Sequence, residues 1–395
     1  MKTEFVFTSE SVTEGHPDKL CDQISDAIVD EYLRHDPFSR ILAECAVANG
    51  VIFIAARFFS SASIDIPQVA RQKIEEVGYI KEDFNAHDCT ILTNFSELAE
   101  KDYSTADERS MSNKELNARP AKNYATVFGF ACNQTHALMP LPVWAAHQLA
   151  RRLSDVRKDN LLSYLLPDAT TQVAIEYRKK KPYRAHSINI VAAHQSLNDK
   201  QLKELRNEIF EQVIAPVFEQ ENVHFDDKTN VFVNPDGPFV GGGPALHSGL
   251  TGRKNAIDLY GQYCRYSGAA ISGKDPGRID RTGNYIAHFA AKNIVAAGLA
   301  EECEVQLSYT MGQAKPVSIQ VETFGTGKVP DDELAVRIKK HIDFRPSAVI
   351  GQFNLRYLPT ESEDGFFQKL AAYGHVGRTD MPLPWEQTEV AELLK

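Results

Sequence analysis

Apolar residues fall into two alternating rhythms along this chain, one of period near 3.6 and one of period two. After the polar stretch 8–19 (TSESVTEGHPDK), Leu20, Ile24, Ile28 and Tyr32, reinforced by Ala27 and Leu33, recur at helical spacing, which predicts a helix starting near Pro17 or Asp18. Two β-like runs follow, Arg40 to Ala48 and Val51 to Phe59, joined through Asn49-Gly50, a dipeptide suited to a tight hairpin. Ile66, Val69, Ala70, Ile74 and Val77 then mark one face of a second helix.

The same order recurs twice. Gln172 to Tyr177 and Ser187 to His194 read as paired strands around a basic connection, Arg178 to Arg184, before a helix carrying Leu202, Leu205, Ile209, Val213 and Ile214. Cys303 to Thr310 and Val317 to Phe324 precede a helix with Leu334, Ile338 and Ile342. The hairpins start at residues 40, 172 and 303, so the intervals are 132 and 131 residues. Near-equal spacing predicts three α+β units, each with helices on one face of an antiparallel or mixed sheet. Further helices are expected at Leu141 to Lys158 and, nearly apolar throughout, at Tyr285 to Ala300. Between them, Glu97 to Asn123 has much charge and little periodicity, as expected of a mobile loop or lid.

Length and charge narrow the picture. At 395 residues the chain exceeds one ordinary core. Its net charge of −10 argues against wrapping nucleic acid or lying on an anionic membrane, so a local cationic cluster points to a small anionic ligand. No run of 18 apolar residues occurs, the N-terminus has no apolar leader core, and the six cysteines lie far apart without metal-site spacing. Together these place the chain in the cytoplasm as a reduced, soluble protein.

One such cluster exists. Phe239 to Arg281 holds nine glycines and Arg253, Lys254, Lys274, Arg278 and Arg281, without either a Walker loop or a GxGxxG pattern. It reads as a seat for phosphate or as a solvated surface loop. Likewise His16 and Asp18 stand either at an anion-binding helix N-terminus or as a loop residue and a cap.

FTSESVTEGHPDK at 7–19, GLTGRK at 249–254, SGKDP at 272–276, DR at 280–281, AKNIVAAGLA at 291–300 and AAYGHVGR at 371–378 together resemble the methionine adenosyltransferase (S-adenosylmethionine synthetase) family, in unbroken order from about Phe7 to Trp385. The resemblance implies a three-domain α+β fold with pseudo-threefold symmetry, expected here as 1–100, 115–235 and 236–395 with interleaving of strands left open. It also implies a homodimer or dimer of dimers, with sites between sheet-packed subunits. The implied reaction is attack of methionine sulfur on C5′ of ATP, release of triphosphate and its hydrolysis.

Residue by residue, the resemblance implies that His16 bonds the leaving oxygen and that Arg253, Lys254 and Lys274 hold the triphosphate, with Arg278 where the family has Lys. Asp18 and Asp280 would ligate Mg²⁺, and Glu44 would ligate K⁺. Asp168 would take the ribose, Phe239 and Met311 the adenine, and Lys292 matches another active-site lysine.

The chain departs from the pattern mostly on the methionine side. Arg57 replaces a carboxylate that faces the methionine amine, Asn123 to Thr126 replaces GDQG, a Gln-bearing motif is missing around Leu98 to Asp102, Thr170 replaces a lysine and His247 an aspartate. A buried Arg57 would repel an ammonium group by several kcal/mol. Two alternatives therefore stand beside methionine adenosylation: a different thioether acceptor, or a catalytically weak or regulatory subunit.

Overall fold

The computed structural model describes residues 4–80, 83–98, 105–219 and 225–395. Among the described residues, eleven strands form three sheets. In the first, β2 (Arg40–Ala48) and β3 (Val51–Phe59) make the hairpin expected from Asn49-Gly50, with Asn49 at φ 52°. β4 (Thr90–Glu97) adds to β3 in parallel, and the short β9 (Gly249–Leu250) closes the other side of β2.

The second sheet orders β1 (Glu4–Val12), β6 (Leu165–Arg178), β7 (Lys181–His194) and β8 (Asn230–Val233). The third orders β11 (Ser318–Glu322), β10 (Glu302–Tyr309) and β5 (Ala125–Cys132). Among the described residues, only the third is antiparallel throughout, while β3 with β4 and β7 with β8 run parallel and make the other two sheets mixed, within the expected antiparallel or mixed class. Strands far apart in sequence are interleaved: β1 lies on β6, β5 on β10 and β9 on β2.

Several local expectations are revised. The connection Arg178 to Arg184 is a two-residue turn, because Lys179 and Lys180 both adopt positive φ (51° and 64°) and let the strands run on to residues 178 and 181. The helix expected from Tyr285 starts earlier, spanning Ile279–Ala296. The stretch 97–123 is not uniformly loose. Its described part carries a helix, Asn113–Asn117, closed by a capping box between Ser112 and Glu115. Glu108 and Arg356 form a buried ion pair at 2.8 Å, and Arg345 reaches Asn113 and Asn117. Residues 99–102, where the missing Gln-bearing motif would fall, lie outside the described residues.

Each sheet buries one face under helices. α1 (Pro17–His35) and α2 (Ile66–Val77) cover Ile41, Ala43, Cys45, Val47, Ile52 and Ile54 of β2 and β3. The opposite face of that sheet is open: Leu250, Ala46, Phe53 and Leu92 line up in register across four strands, and Leu250, Phe53 and Leu92 are exposed. No described helix is long and apolar enough to cross a membrane. All six cysteines are unpaired.

The helix Leu141–Lys158 brings His147 into the core, where its Nδ1 meets Ser11 Oγ at 2.8 Å. Burial, with help from Arg151 and Arg378, pushes this imidazole down to about 3. The unfolded chain then binds a proton near pH 6.5 that the native protein refuses, so stability is lost as pH falls from about 6.5 towards 3. Between pH 7 and 5 the parent protein should lose about 2 kcal/mol more than a His147→Gln variant. Urea unfolding at both pH values checks this; equal losses would show that His147 does not set the acid response.

Candidate active site

The glycine-rich cationic segment is held between α1 and β2. Along α1, carboxylates recur every fourth residue: Asp18, Asp22, Asp26 and Asp30, all buried. This spacing puts them on one helix face, about 6 Å apart along the axis. Asp18 accepts from the Leu250 N–H at 3.0 Å, Asp22 from Gly252 at 2.8 Å and Asp26 from Gly273 at 2.8 Å. Asp30 accepts from Phe366, Phe367 and Gln368 at 2.9–3.0 Å.

From the other side β2 takes the same loops by backbone bonding. Ala46 and Val47 pair with β9, Ala43 N–H donates to Gly273 O at 2.7 Å, and Leu42 bridges Lys274. The approach is so close that a Cβ at Gly249 would stand 2.1 Å from Pro17 O, and one at Gly273 would stand 1.9 Å from Ala43 O. Gly273 also needs its positive φ of 78°.

Buried cations complete the framework. Arg281 pairs with Asp26 and donates to Lys274 O at 2.7 Å and to Tyr285 at 2.8 Å. Lys19 joins Asp22, at 2.8 Å, to Asp258. Burial raises Asp26 to about 6 and Asp258 to about 7, against the pull of Arg281 and Lys19 respectively. Neither Arg281 nor Lys19 reaches solvent, so both are structural. Asp22, Asp26, Asp30, Lys19 and Asp258 escape the sequence reading, although the four-residue recurrence of Asp was a visible signal.

On this frame the side chains of the site converge. His16 is the N-cap of α1: its Nδ1 accepts from Asp18 N–H at 3.2 Å, which leaves the ring hydrogen on Nε2. Burial pushes His16 down to about 4, with Asp168 and Asp18 opposing, so the ring is neutral at pH 7. Asp168, buried, sits where the β6–β7 register slips between Leu165 and Ala169, and the bulge aims it out of the ladder. Its Oδ2 accepts from Gly243 N–H and meets His247 Nε2, each at 2.8 Å. That hydrogen bond raises the His247 pKa.

Arg253 reaches Asp18 at 3.5 Å, Lys254 reaches Glu10 at 3.7 Å and Lys274 reaches Asp280 at 2.8 Å. Asp280 lies in the first turn of Ile279–Ala296, with Arg278 as its N-cap. His16, Asp18, Asp168, His247 and Arg253 are thus joined by contacts, and Lys254 acts electrostatically on both His16 and His247. Lys274, on the second glycine loop, sits opposite Leu42, four residues along β2 from where Ala46 pairs with Leu250, and it holds Asp280 of the following helix. A cavity of about 190 Å³ lies beside Asp168, lined also by Tyr79, Val240, Gly241, Gly242 and Leu246. A larger cleft, about 1000 Å³, opens elsewhere among Phe7, Tyr263, Phe324 and Lys179 to Tyr183, away from these groups.

Other sequence-derived candidates are not gathered. Lys292 stands twelve residues beyond Asp280 on one helix, about 18 Å away, where it pairs with Glu386 and donates to Ala137 O; it is a core ion pair, which corrects its expected place in the site. Phe239 is tied to His194 of β7, whereas exposed Met311 follows β10 in a loop bonded to Ala121, so in one chain they are carried by different sheets. Asn123 is exposed before β5, and Thr170 lies half-buried in β6.

Glu44 and Arg57 lie on the open face of the first sheet, opposite Ala55 and Leu42 respectively, and both are exposed. The expected burial of Arg57 is therefore not met within one chain, because β3 alternates and position 57 falls on its uncovered face. Among the described residues, Glu44 is not part of a group of three or more His, Cys, Asp or Glu side chains gathered as for a metal ion.

The family models that match carry three descriptions: S-adenosylmethionine synthetase N-terminal domain over residues 4–100, central domain over 118–239 and C-terminal domain over 241–387. The chain is 46% identical to a protein named S-adenosylmethionine synthase from Microcystis aeruginosa, covering 100% of this chain and 98% of that one. It is similarly 46% identical to the synthase from Synechococcus elongatus, with 100% and 98% covered, and 45% identical to that from Trichodesmium erythraeum, with 100% and 97% covered.

Removing one partner of a buried ion pair leaves the other charge uncompensated. Asp26→Ala strands Arg281 and frees the Gly273 N–H, and it should destabilise the protein by about 3–5 kcal/mol in urea unfolding. A loss below about 1 kcal/mol would show that the carboxylate ladder does not hold the loops.

Proposed function

The chain belongs to the S-adenosylmethionine synthetase family, and from that premise we propose that it joins ATP and methionine into S-adenosylmethionine, releasing triphosphate and then hydrolysing it. The methionine sulfur forms a bond to C5′ while the C5′–O5′ bond breaks, so the positive charge appears on sulfur and the electron pair leaves with the triphosphate oxygen. A thioether is a neutral nucleophile and needs no general base. Catalysis is alignment plus stabilisation of the departing polyanion.

The observation that carries this reading is the docking of two cationic glycine loops on one helix and one strand beside a neutral His16. His16 donates from Nε2 to the leaving oxygen without itself being an anion-quenched cation. Arg253, Lys254 and Lys274 exchange their present carboxylate partners for phosphate oxygens, and Arg278 adds a fork in place of a lysine's point charge. Asp168 takes the ribose hydroxyls with the 190 Å³ cavity beside it, and Phe239 borders the base.

Asp18 and Asp280 offer hard carboxylate oxygens, which with phosphate oxygens and water suit Mg²⁺; that ion would neutralise charge building on the triphosphate. Glu44 alone does not make a K⁺ site within one chain. The open apolar row Leu250, Ala46, Phe53 and Leu92 supports a homodimer packed sheet against sheet, which would set Arg57 and Glu44 against a second copy. A different acceptor, or a non-catalytic role, is not favoured, given relatives of one name matched along their full length.

Incubating the pure protein with ATP, Mg²⁺, K⁺ and millimolar methionine, with mass detection, should yield S-adenosylmethionine; absence of that product sinks the reading. Lys274→Ala should lower kcat by about 100-fold or more while changing nucleotide affinity less, since its contact strengthens as charge gathers on the leaving group. Equal effects on both would make Lys274 a mere anchor. Phe53→Asp should shift the protein from dimer to monomer in sedimentation, and an unchanged mass would remove this face from the assembly.

A further inference from the structure

His16, Asp168 and His247 each offer one ligand atom, and these atoms all lie within 4.8 Å of one another. They come from three separate pieces of chain: the N-cap of α1, the bulge of β6 and the loop before β9. The resemblance drawn above implies an aspartate where this chain has His247. We propose that the trio seats a borderline divalent cation of the zinc class when nucleotide is absent.

The donor set decides the class of ion. Two imidazole nitrogens and one carboxylate oxygen suit Zn²⁺, Co²⁺ or Ni²⁺, whereas Mg²⁺ prefers oxygen throughout. Three protein ligands leave a position open to water. Supporting contacts are already in place: Gly243 N–H fixes Asp168 at 2.8 Å, and Asp18 Oδ2 stands 3.8 Å from His16 Nδ1. Ligation through Nε2 puts the His16 hydrogen on Nδ1, so the ring gives up the bond from the Asp18 N–H and must turn to bring Nδ1 within reach of Asp18 Oδ2, now 3.8 Å away, to complete a carboxylate–histidine–metal order. At His247, ligation through Nε2 shifts the ring hydrogen from Nε2 to Nδ1 and replaces the bond to Asp168 by a shared ion.

Charge permits this. The groups facing the trio are Asp18 and Lys254, so with Asp168 the neighbourhood carries one net negative charge to meet the cation. The rings of His16 and His247 meet edge to face with centroids 5.1 Å apart, as two ligands converging on one point must, rather than stacking flat.

The seat uses Asp168 and His16, the groups assigned above to ribose and leaving oxygen. Cation and nucleoside therefore exclude each other, a consequence that rests on the proposed function, while the seat itself does not. Such a protein would be held idle by a zinc-class ion until nucleotide displaces it.

Metal-free full-length protein titrated with Co²⁺ in nucleotide-free buffer, followed by visible absorption and calorimetry, tests both parts. One equivalent should bind, and His247→Gln should weaken binding at least about tenfold. Adenosine, which carries the ribose without a chelating phosphate, should remove the Co²⁺ spectrum. Wild type and His247→Gln binding Co²⁺ alike would overturn the seat. Adenosine that binds yet leaves the spectrum unchanged would overturn the exclusion. Failure to make S-adenosylmethionine, with the Co²⁺ result intact, would instead strike the proposed function alone.

Discussion

Everything at this site depends on a line of buried carboxylates along one helix. Burying four aspartates is unfavourable unless each finds donors, and α1 satisfies them with backbone N–H groups of loops that otherwise have no regular structure. The helix thereby acts as a ruler: acceptors two turns apart on it, Asp18 and Asp26, receive the N–H groups of Leu250 and Gly273, and β2 repeats the same order from the other side. Loops so bracketed need glycine, because a Cβ at 249 or 273 would collide with backbone on either wall. Composition alone made the segment look flexible; packing makes its backbone among the more constrained in the molecule.

That constraint explains how cations can be concentrated without disorder. Arg281 and Lys19 neutralise the ladder from within and are fully enclosed, so they hold shape. Arg253 and Lys254 reach outward and pair loosely, at 3.5 and 3.7 Å, with carboxylates that are themselves candidates for metal or ligand, whereas Lys274 holds Asp280 at 2.8 Å in a largely buried pair. The two sets differ in burial, and so in what they can do. An enclosed pair cannot exchange partners without breaking the core, whereas a rim pair in high dielectric exchanges at little cost.

What could be read in the sequence follows the same division. β2, β3 and the helix Leu141–Lys158 are legible to the residue, because one buried face imposes a clean period on each. β4 escaped, since its side chains are largely exposed and its partner is non-adjacent in parallel, and β1, β5 and β9 escaped a sheet assignment because their partners are over a hundred residues away. Of the site, His16, Asp18, Asp168, Arg253, Lys254, Lys274 and Asp280 were recognisable from motifs. Lys292 was misplaced, because a motif lysine on an apolar helix can be a core ion pair as readily as a ligand, and only Glu386, 94 residues on, tells which. The aspartate ladder was masked by an apolar stripe on the same helix, which by itself accounted for the pattern.

Burial also bears on why the departures from the family pattern cluster. Positions held in the ladder or the bulge, Asp18, Asp22, Asp26 and Asp168, lose several kcal/mol of native stability when changed, whatever the effect on chemistry. Arg57, Asn123 and Tyr124 are exposed in the chain and His247 partly so, and substitutions at such positions typically cost within about 0.5 kcal/mol. Folding thus filters changes on the nucleotide side and hardly filters those on the methionine side. A one-sided pattern of substitution is then expected even in a working enzyme, and the charge reversal at Arg57 is no measure of lost activity until a second copy is shown to enclose it.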